Sequence, residues 1–186
     1  MNFIKSNTVQ ELIDLDNEID QLIKEEIISD NPDLTSIHDG IINYDEYFSA
    51  KYKVLWILKE PYDEIDEDGN LSGGGWHLRD VINSRKTIEE YENGRKTFKP
   101  MIYATWGIFN DFCLWDIMHD VENDPTMLTV LKSIAYINVK KIPGRKTSNN
   151  SEIANAYGLY NRILLKQIWN YNPDIIIGGY TLKLFL

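Results

Sequence analysis

The sequence predicts an α/β fold, namely a three-layer α/β/α sandwich around a central, mainly parallel sheet. Three apolar runs predict strands at 52–58, 134–139 and 174–180. Runs that are apolar throughout are typical of strands covered by helices on both faces. Helical stretches lie between these runs, and this alternation predicts right-handed crossovers between parallel strands. We expect residues 1–186 to form one domain, with 1–50 as an N-terminal helical segment packed on it.

Periodicity and end signals place the helices. Thr8 and Glu11 form a capping box that begins a helix over 8–29. Further helices are expected over 77–92, 100–118, 125–132 and 151–170, with Pro100 as a first helical residue. The chain stops at Leu186, where another helix should begin. We interpret this end in one of two ways: the chain is truncated, or its final element is supplied otherwise.

Composition narrows the function classes. The net charge of −10 weighs against binding of nucleic acid through the whole surface, but it is compatible with a local basic patch. A single cysteine, Cys113, excludes an internal disulfide, a four-cysteine zinc site and a cysteine-ligated iron–sulfur cluster. We expect no metal and no cofactor. Without a signal peptide or a long apolar run, we expect a cytoplasmic monomer with no membrane partner.

The end of the first strand carries the first candidate site. The run Val54–Leu58 leads into Lys59 and Glu60, and Pro61 then ends regular pairing because it has no N–H to donate. In open α/β sheets, ligands bind at the carboxyl ends of the strands. Glu60 is therefore a candidate catalytic carboxylate; the alternative is a solvated loop residue.

The second strand ends in a comparable way. Asn138 is the polar member of an apolar run, and a buried amide must find partners. It either ties down a neighbouring loop or reads a ligand with its paired donor and acceptor. The densest basic cluster of the chain follows it and forms either a solvated face or a functional surface; its members are Lys140, Lys141, Arg145 and Lys146.

The long loop over 59–76 ends in Gly73-Gly74-Gly75 before Trp76 and His77. Loops of this length in a compact domain are usually functional or mobile. Three glycines let a backbone approach a ligand closely. They are compatible with a phosphate cradle or with a simple hinge, because no Walker pattern accompanies them.

Three stretches in order carry a family resemblance over residues 52–186. Leu58–Asp63 is similar to the motif Gly-Gln-Asp-Pro-Tyr-His, and Tyr136–Val139 is similar to a strand ending in Leu-Leu-Asn. Trp169, followed by an apolar strand and Gly178–Thr181, is similar to a segment with Trp-Gly-Ser-Tyr-Ala. The chain thereby resembles the uracil-DNA glycosylase superfamily.

The resemblance implies roles for named residues. Glu60 would position or activate the attacking water, Tyr62 would shield the base pocket, and Trp76 would stack on the flipped base. Asn138 would read the uracil edge, with Pro61 and Asp63 as further members of the substrate pocket. From their placement alone, we expect Lys140, Lys141, Arg145 and Lys146 to hold the DNA backbone.

Several positions depart from the family pattern. Leu58 stands where the family has Gly, Glu60 where it has Asp, and Asp63 where its main branch has His. The last family motif, His-Pro-Ser, would lie beyond Leu186. We therefore keep three hypotheses: a glycosylase acting on uracil or a related damaged base, a non-catalytic binder of the same fold, and another enzyme that binds phosphate at Gly73–Gly75.

Overall fold

The computed structural model describes residues 6–30, 35–63 and 73–186. The helices are α1 (Val9–Asp30), α2 (Tyr44–Ser49), α3 (Leu78–Ser84), α4 (Arg95–Phe109) and α5 (Asn150–Tyr171). The strands are β1 (Gly40–Ile41), β2 (Val54–Leu58), β3 (Ile134–Asn138) and β4 (Ile175–Gly178). Short 3-10 helices occupy Glu89–Gly94, Trp115–Ile117, Pro125–Ser133 and Leu182–Leu184. The middle of the loop expected at 59–76 lies outside the described residues.

The four strands form one mainly parallel sheet in the order β1-β3-β2-β4. Strand β2 pairs in parallel with both β3 and β4, and β1 pairs antiparallel with β3. The register places Leu58 opposite Asn138 and Ile57 opposite Gly178. This mixture of helices and a mainly parallel sheet confirms the α/β class.

Alternate strand residues contribute to two separate apolar cores. Leu55 of β2 and Ile137 of β3 belong to one cluster, which also contains apolar residues of α1 and α5. Trp56 and Tyr136 belong to the other, with residues of α3, α4 and the 3-10 helix Pro125–Ser133. Because side chains alternate across a strand, β2 and β3 each supply both clusters. These two central strands thus have buried residues on both of their sides.

Several expected boundaries are wrong. The helix expected at 100–118 begins at Arg95 and ends at Phe109, so Pro100 lies inside α4 rather than at its start. The helix expected at 77–92 is divided into α3 and a 3-10 helix. Strand β1 lies within the segment 1–50 that was expected to be helical, and α2 was not placed, since 33–50 shows only turn signals and scattered aromatic residues. Short elements carry too few residues for a periodic pattern.

The apolar composition of 174–180 predicts a buried strand, but the strand observed there is only partly buried. It is the edge strand β4, and Ile176 at its centre is 40% exposed. Its neighbours Ile175 and Ile177 are only partly covered. The sequence pattern reports apolar character alone, whereas burial depends on what the rest of the chain places over the strand.

Helix α1 is attached to the domain through two carboxylates. The carboxylate of Asp16 is fully buried and accepts hydrogen bonds from the Tyr44 hydroxyl (2.7 Å), the Tyr171 hydroxyl and the Arg79 guanidinium (2.7 Å). Burial raises the pKa of Asp16, and these partners oppose that rise. The α1 helix therefore docks through a polar cluster as well as through its apolar face.

The second carboxylate, Asp20, lies between two histidines. His38 Nδ1 is 3.0 Å from Asp20 Oδ1, and His77 Nε2 is 3.6 Å from Asp20 Oδ2. The sequence gives His38 no role beyond a surface position, yet its ring stacks on that of His77 at 5.9 Å. Burial by itself raises the pKa of Asp20, but the two histidines outweigh it and lower the pKa to about 2.

Asp20→Asn should reduce stability near neutral pH by about 2 kcal/mol, since a pKa depressed below the unfolded value stabilises the ionised folded state. The contribution is fully present above about pH 4 and is lost as the pH falls through 2. Urea unfolding from pH 7 to pH 2 should show the parent and the variant converging on acidification. Asp14→Asn, an exposed position on α1, is the control. If the difference in unfolding free energy between parent and variant does not decrease towards pH 2, the stabilising role of the Asp20 carboxylate is contradicted.

Among the described residues, no helix is both long and apolar enough to cross a membrane.

Candidate functional site

The carboxyl ends of β2 and β3 bring the two main candidate residues to one sheet edge. Strand pairing continues past both strands, with the Val139 N–H donating to the Leu58 carbonyl (2.9 Å) and the Lys140 N–H to the Lys59 carbonyl (2.9 Å). Leu58 is the cross-strand partner of Asn138. Glu60 follows Leu58 by two residues, so Glu60 and Asn138 lie at the same edge.

Glu60 forms a buried ion pair. Its side chain is 3% exposed, and one carboxylate oxygen lies 3.0 Å from the Lys140 Nζ. The Lys140 ammonium also lies 3.4 Å from a carboxylate oxygen of Glu152 on α5. The prediction that Lys140 contacts a DNA backbone is therefore wrong, because its buried ammonium is used by two carboxylates of the protein. A buried carboxylate requires such a partner, since removing a charge from water is expensive.

Gly144 closes over the Glu60 side chain. The Gly144 N–H donates to the Pro61 carbonyl (2.8 Å), which fixes Gly144 beside the segment that carries Glu60. A Cβ at Gly144 would lie 2.5 Å from both Cγ and Cδ of Glu60. Only glycine fits over the Glu60–Lys140 pair in this arrangement.

Gly144→Ala should destabilise the protein by about 1–3 kcal/mol, because the new methyl group displaces the buried Glu60 side chain. Gly158→Ala is the matched control. A Cβ at Gly158, inside α5, would meet no atom within 4 Å, so this variant should be stabilised by about 1 kcal/mol through helix propensity. Urea unfolding of both variants measures the two effects. If both variants change the free energy of unfolding by the same amount and in the same direction, Gly144 does not confine the Glu60 side chain.

Asn138 is 1% exposed, and its backbone N–H donates to Asp39 Oδ2 (2.7 Å). Within the described part of the chain, neither the Oδ1 nor the Nδ2 atom of its side chain has a hydrogen-bond partner. Burial and the charge of Asp39 raise the pKa of Tyr136, and the Asn138 amide partly opposes that rise. The contact with Tyr136 lacks hydrogen-bond geometry. Asn138 thus holds an unused donor and acceptor side by side.

Asp39 organises the backbone behind Asn138. Besides the Asn138 N–H, its carboxylate accepts hydrogen bonds from Lys141 Nζ (2.7 Å) and from the Gln167 amide (2.9 Å). Lys141 is 0% exposed, so its expected contact with a DNA backbone is wrong: its ammonium is used inside the fold. Burial lowers the pKa of Lys141, and the charge of Asp39 opposes this. The sequence marked Asp39 only as part of a turn.

The remaining predicted pocket residues occupy the loop that follows β2. Pro61 is buried, and Tyr62 is half-exposed. Asp63 accepts hydrogen bonds from the Trp76 indole N–H (2.6 Å) and from the Gly74 N–H (2.7 Å). Asp63 therefore fixes the position of Trp76, whose ring is partly buried against the core beside α3 and α4.

The glycine segment is held by the protein itself. Gly73, Gly74 and Gly75 all have positive φ, between 74° and 88°. The Gly74 N–H binds Asp63 and the Gly75 N–H binds the Ser36 carbonyl (3.0 Å), so two donors of the supposed phosphate cradle are engaged. This geometry weakens the third hypothesis, a phosphate-binding enzyme.

Arg145 and Lys146 differ from the two lysines before them. Both are exposed, directly after Gly144 and hence close to the Glu60–Lys140 pair in the chain. They are the members of the predicted basic cluster whose position allows contact with a phosphate backbone. No group of three or more metal-ligating side chains occurs in the described ranges.

Comparison with known proteins adds no assignment. A scan against protein-family models, a search of curated proteins and a search of solved structures each found no match.

Proposed function

We propose that this protein removes uracil or a related damaged base from DNA, as a divergent member of the uracil-DNA glycosylase superfamily with a three-layer α/β/α sandwich. The observation that carries the proposal is the buried Asn138 amide, whose donor and acceptor lack partners in the described structure. A uracil edge offers a complementary acceptor, O4, and donor, N3–H. Buried polar atoms without partners are rare in proteins and require an explanation.

The residues around Asn138 support a hydrolytic role. Cleavage of the glycosidic bond builds positive charge on the sugar and negative charge on the base. The Glu60 carboxylate is the group that would stabilise the sugar cation and orient a water. Lys140 holds this carboxylate at 3.0 Å and acts as a positioning residue. Preorganised groups of this kind each contribute about 10²–10³ in rate.

DNA must present the base outside the helix, because a stacked base cannot reach a site at the sheet edge. Flipping a base costs a few kcal/mol, and aromatic stacking returns about 1–3 kcal/mol. Trp76, held by Asp63, and the half-exposed Tyr62 are the aromatic residues proposed for the pocket. Arg145 and Lys146 are proposed to contact the DNA backbone.

A binding role without turnover is the second candidate. One observation favours it: the Glu60 side chain is 3% exposed and already paired with Lys140, so little of it is open to an attacking water. A non-catalytic protein of this fold would use the Asn138 amide to recognise a base, a nucleotide or another partner.

The deciding experiment is single-turnover release of uracil from labelled single- and double-stranded oligonucleotides. The parent is expected to form abasic product, and Glu60→Gln and Asn138→Ala should each lose about 10²–10³ in rate. Glu25→Gln and Asn155→Ala, at exposed positions, are the matched controls and should behave as the parent.

The outcomes separate the two candidates. No product from the parent at high protein concentration, together with binding that weakens steeply with salt, would replace the enzyme with a binding protein. Product that both variants form at the parental rate would contradict the roles given to Glu60 and Asn138.

A further inference from the structure

A groove runs along the outer side of α4, and none of the candidate site residues lines it. Its volume is about 970 Å³. Successive turns of α4 form one wall with Pro100, Ala104 and Ile108, and the segment after the helix forms the other with Cys113 and Met118. We call this feature the α4 groove. Its size falls within the range of about 300–1,000 Å³ typical of small-molecule sites.

Aromatic residues contribute to the apolar lining of the α4 groove. Trp115 is 65% exposed and packs edge-on against Tyr103, with 4.7 Å between ring centroids. Phe112 is 60% exposed and has a positive φ of 58°, which a bulky residue rarely adopts. Leu114 and Ile117, close to them in the chain, are also exposed. Exposed apolar patches often mark binding sites.

The charged end of the α4 groove has a surplus of one cation. Arg95 pairs with Glu122, and Lys99 lies 3.0 Å from Glu122 and 3.5 Å from Asp120. These two cations balance the two carboxylates. Lys96 lines the same groove and has no ion-pair partner among the residues that the structure describes. An anionic group is therefore the complement of this end, whereas the rest of the groove is apolar.

The dimensions favour a slender ligand. From residue 95 to residue 108, α4 is ~20 Å long at its rise per residue. Dividing the volume of about 970 Å³ by that length gives a mean cross-section of roughly 50 Å². We propose that the α4 groove binds a single elongated apolar carboxylate, with its tail along Ala104 and Ile108 and its head group at Lys96.

Dodecanoate, kept below its micelle concentration, tests the proposal by isothermal titration and by tryptophan fluorescence, to which the exposed Trp115 contributes. Ala104→Phe places a ring in the groove and should weaken binding about tenfold or more. Lys96→Glu reverses the surplus charge and should weaken binding about three- to tenfold. Both positions are exposed, so the variants should fold as the parent does.

The controls carry the same changes elsewhere. Ala154→Phe on α5 and Lys86→Glu before the 3-10 helix Glu89–Gly94 alter exposed residues outside the groove and should leave the affinity unchanged. Methyl dodecanoate, which has no charge, should bind about fivefold more weakly than the carboxylate. The proposal is overturned if the groove variants bind dodecanoate like their controls, if the ester binds as tightly as the acid, or if only anionic lipid vesicles bind.

Discussion

Lys141→Met should lower the free energy of unfolding by about 3–5 kcal/mol, the range found when one partner of a buried ion pair is removed. Lys141 and Asp39 are both 0% exposed, and Lys141 Nζ lies 2.7 Å and 2.9 Å from the two Asp39 oxygens. Methionine fills much of the lysine volume, so the loss reports mainly the unpaired carboxylate that remains. Urea unfolding at pH 7 is the measurement.

Two further variants show whether the charge is the cause. The double variant Asp39→Asn/Lys141→Met removes both charges and should recover a large part of the loss, because a neutral pair avoids the cost of an isolated buried ion. Lys51→Met breaks the exposed ion pair with Asp111 and should leave stability close to that of the parent, because water screens an exposed pair. If Lys141→Met lowers the free energy of unfolding no more than Lys51→Met does, the buried Lys141–Asp39 pair does not stabilise the fold.

Asn138→Leu is expected to separate function from stability. If Asn138 reads the base, this variant should lose about 10²–10³ in the rate of uracil release. The same substitution should leave stability unchanged or raise it by about 1 kcal/mol, because it removes two buried polar atoms that lack partners and keeps a similar shape. Urea unfolding and single-turnover kinetics on one protein sample give both values.

Asn43→Leu is the matched control for this separation. The Asn43 side chain accepts a hydrogen bond from the Glu46 N–H (3.1 Å) and caps α2. Its loss should destabilise the protein by about 1 kcal/mol and leave base release intact. An Asn138→Leu protein that is strongly destabilised would instead show that the Asn138 amide has a structural partner, and the recognition role would be withdrawn.

Part of the candidate site follows from strand ends alone. The apolar runs before Glu60 and Asn138 predict parallel strands, and parallel neighbours place their carboxyl ends at one edge. The structure has these two strands side by side, with Leu58 opposite Asn138. The functional roles of Glu60 and Asn138 stay predictions, because no comparison bears on them.

The basic cluster shows where such reasoning stops. Lys140, Lys141, Arg145 and Lys146 are similar in the sequence, and a local run of charges is typical of a solvated face. In the structure, Lys140 pairs with Glu60 and Lys141 with Asp39, while Arg145 and Lys146 are exposed. Asp39 lies 102 residues before Lys141, a distance over which no local pattern identifies a partner.

The sequence by itself determined the α/β class, the main strands and the long helices α1 and α5, because apolar periodicity follows from local geometry. Tertiary structure alone decided that β4 is a half-exposed edge, that Lys141 is buried, and that Gly144 confines Glu60. Each of these depends on which distant segments meet. Burial and ion pairing are properties of the assembled neighbours, whereas the tendency to form a strand or helix is already present in a short stretch of chain.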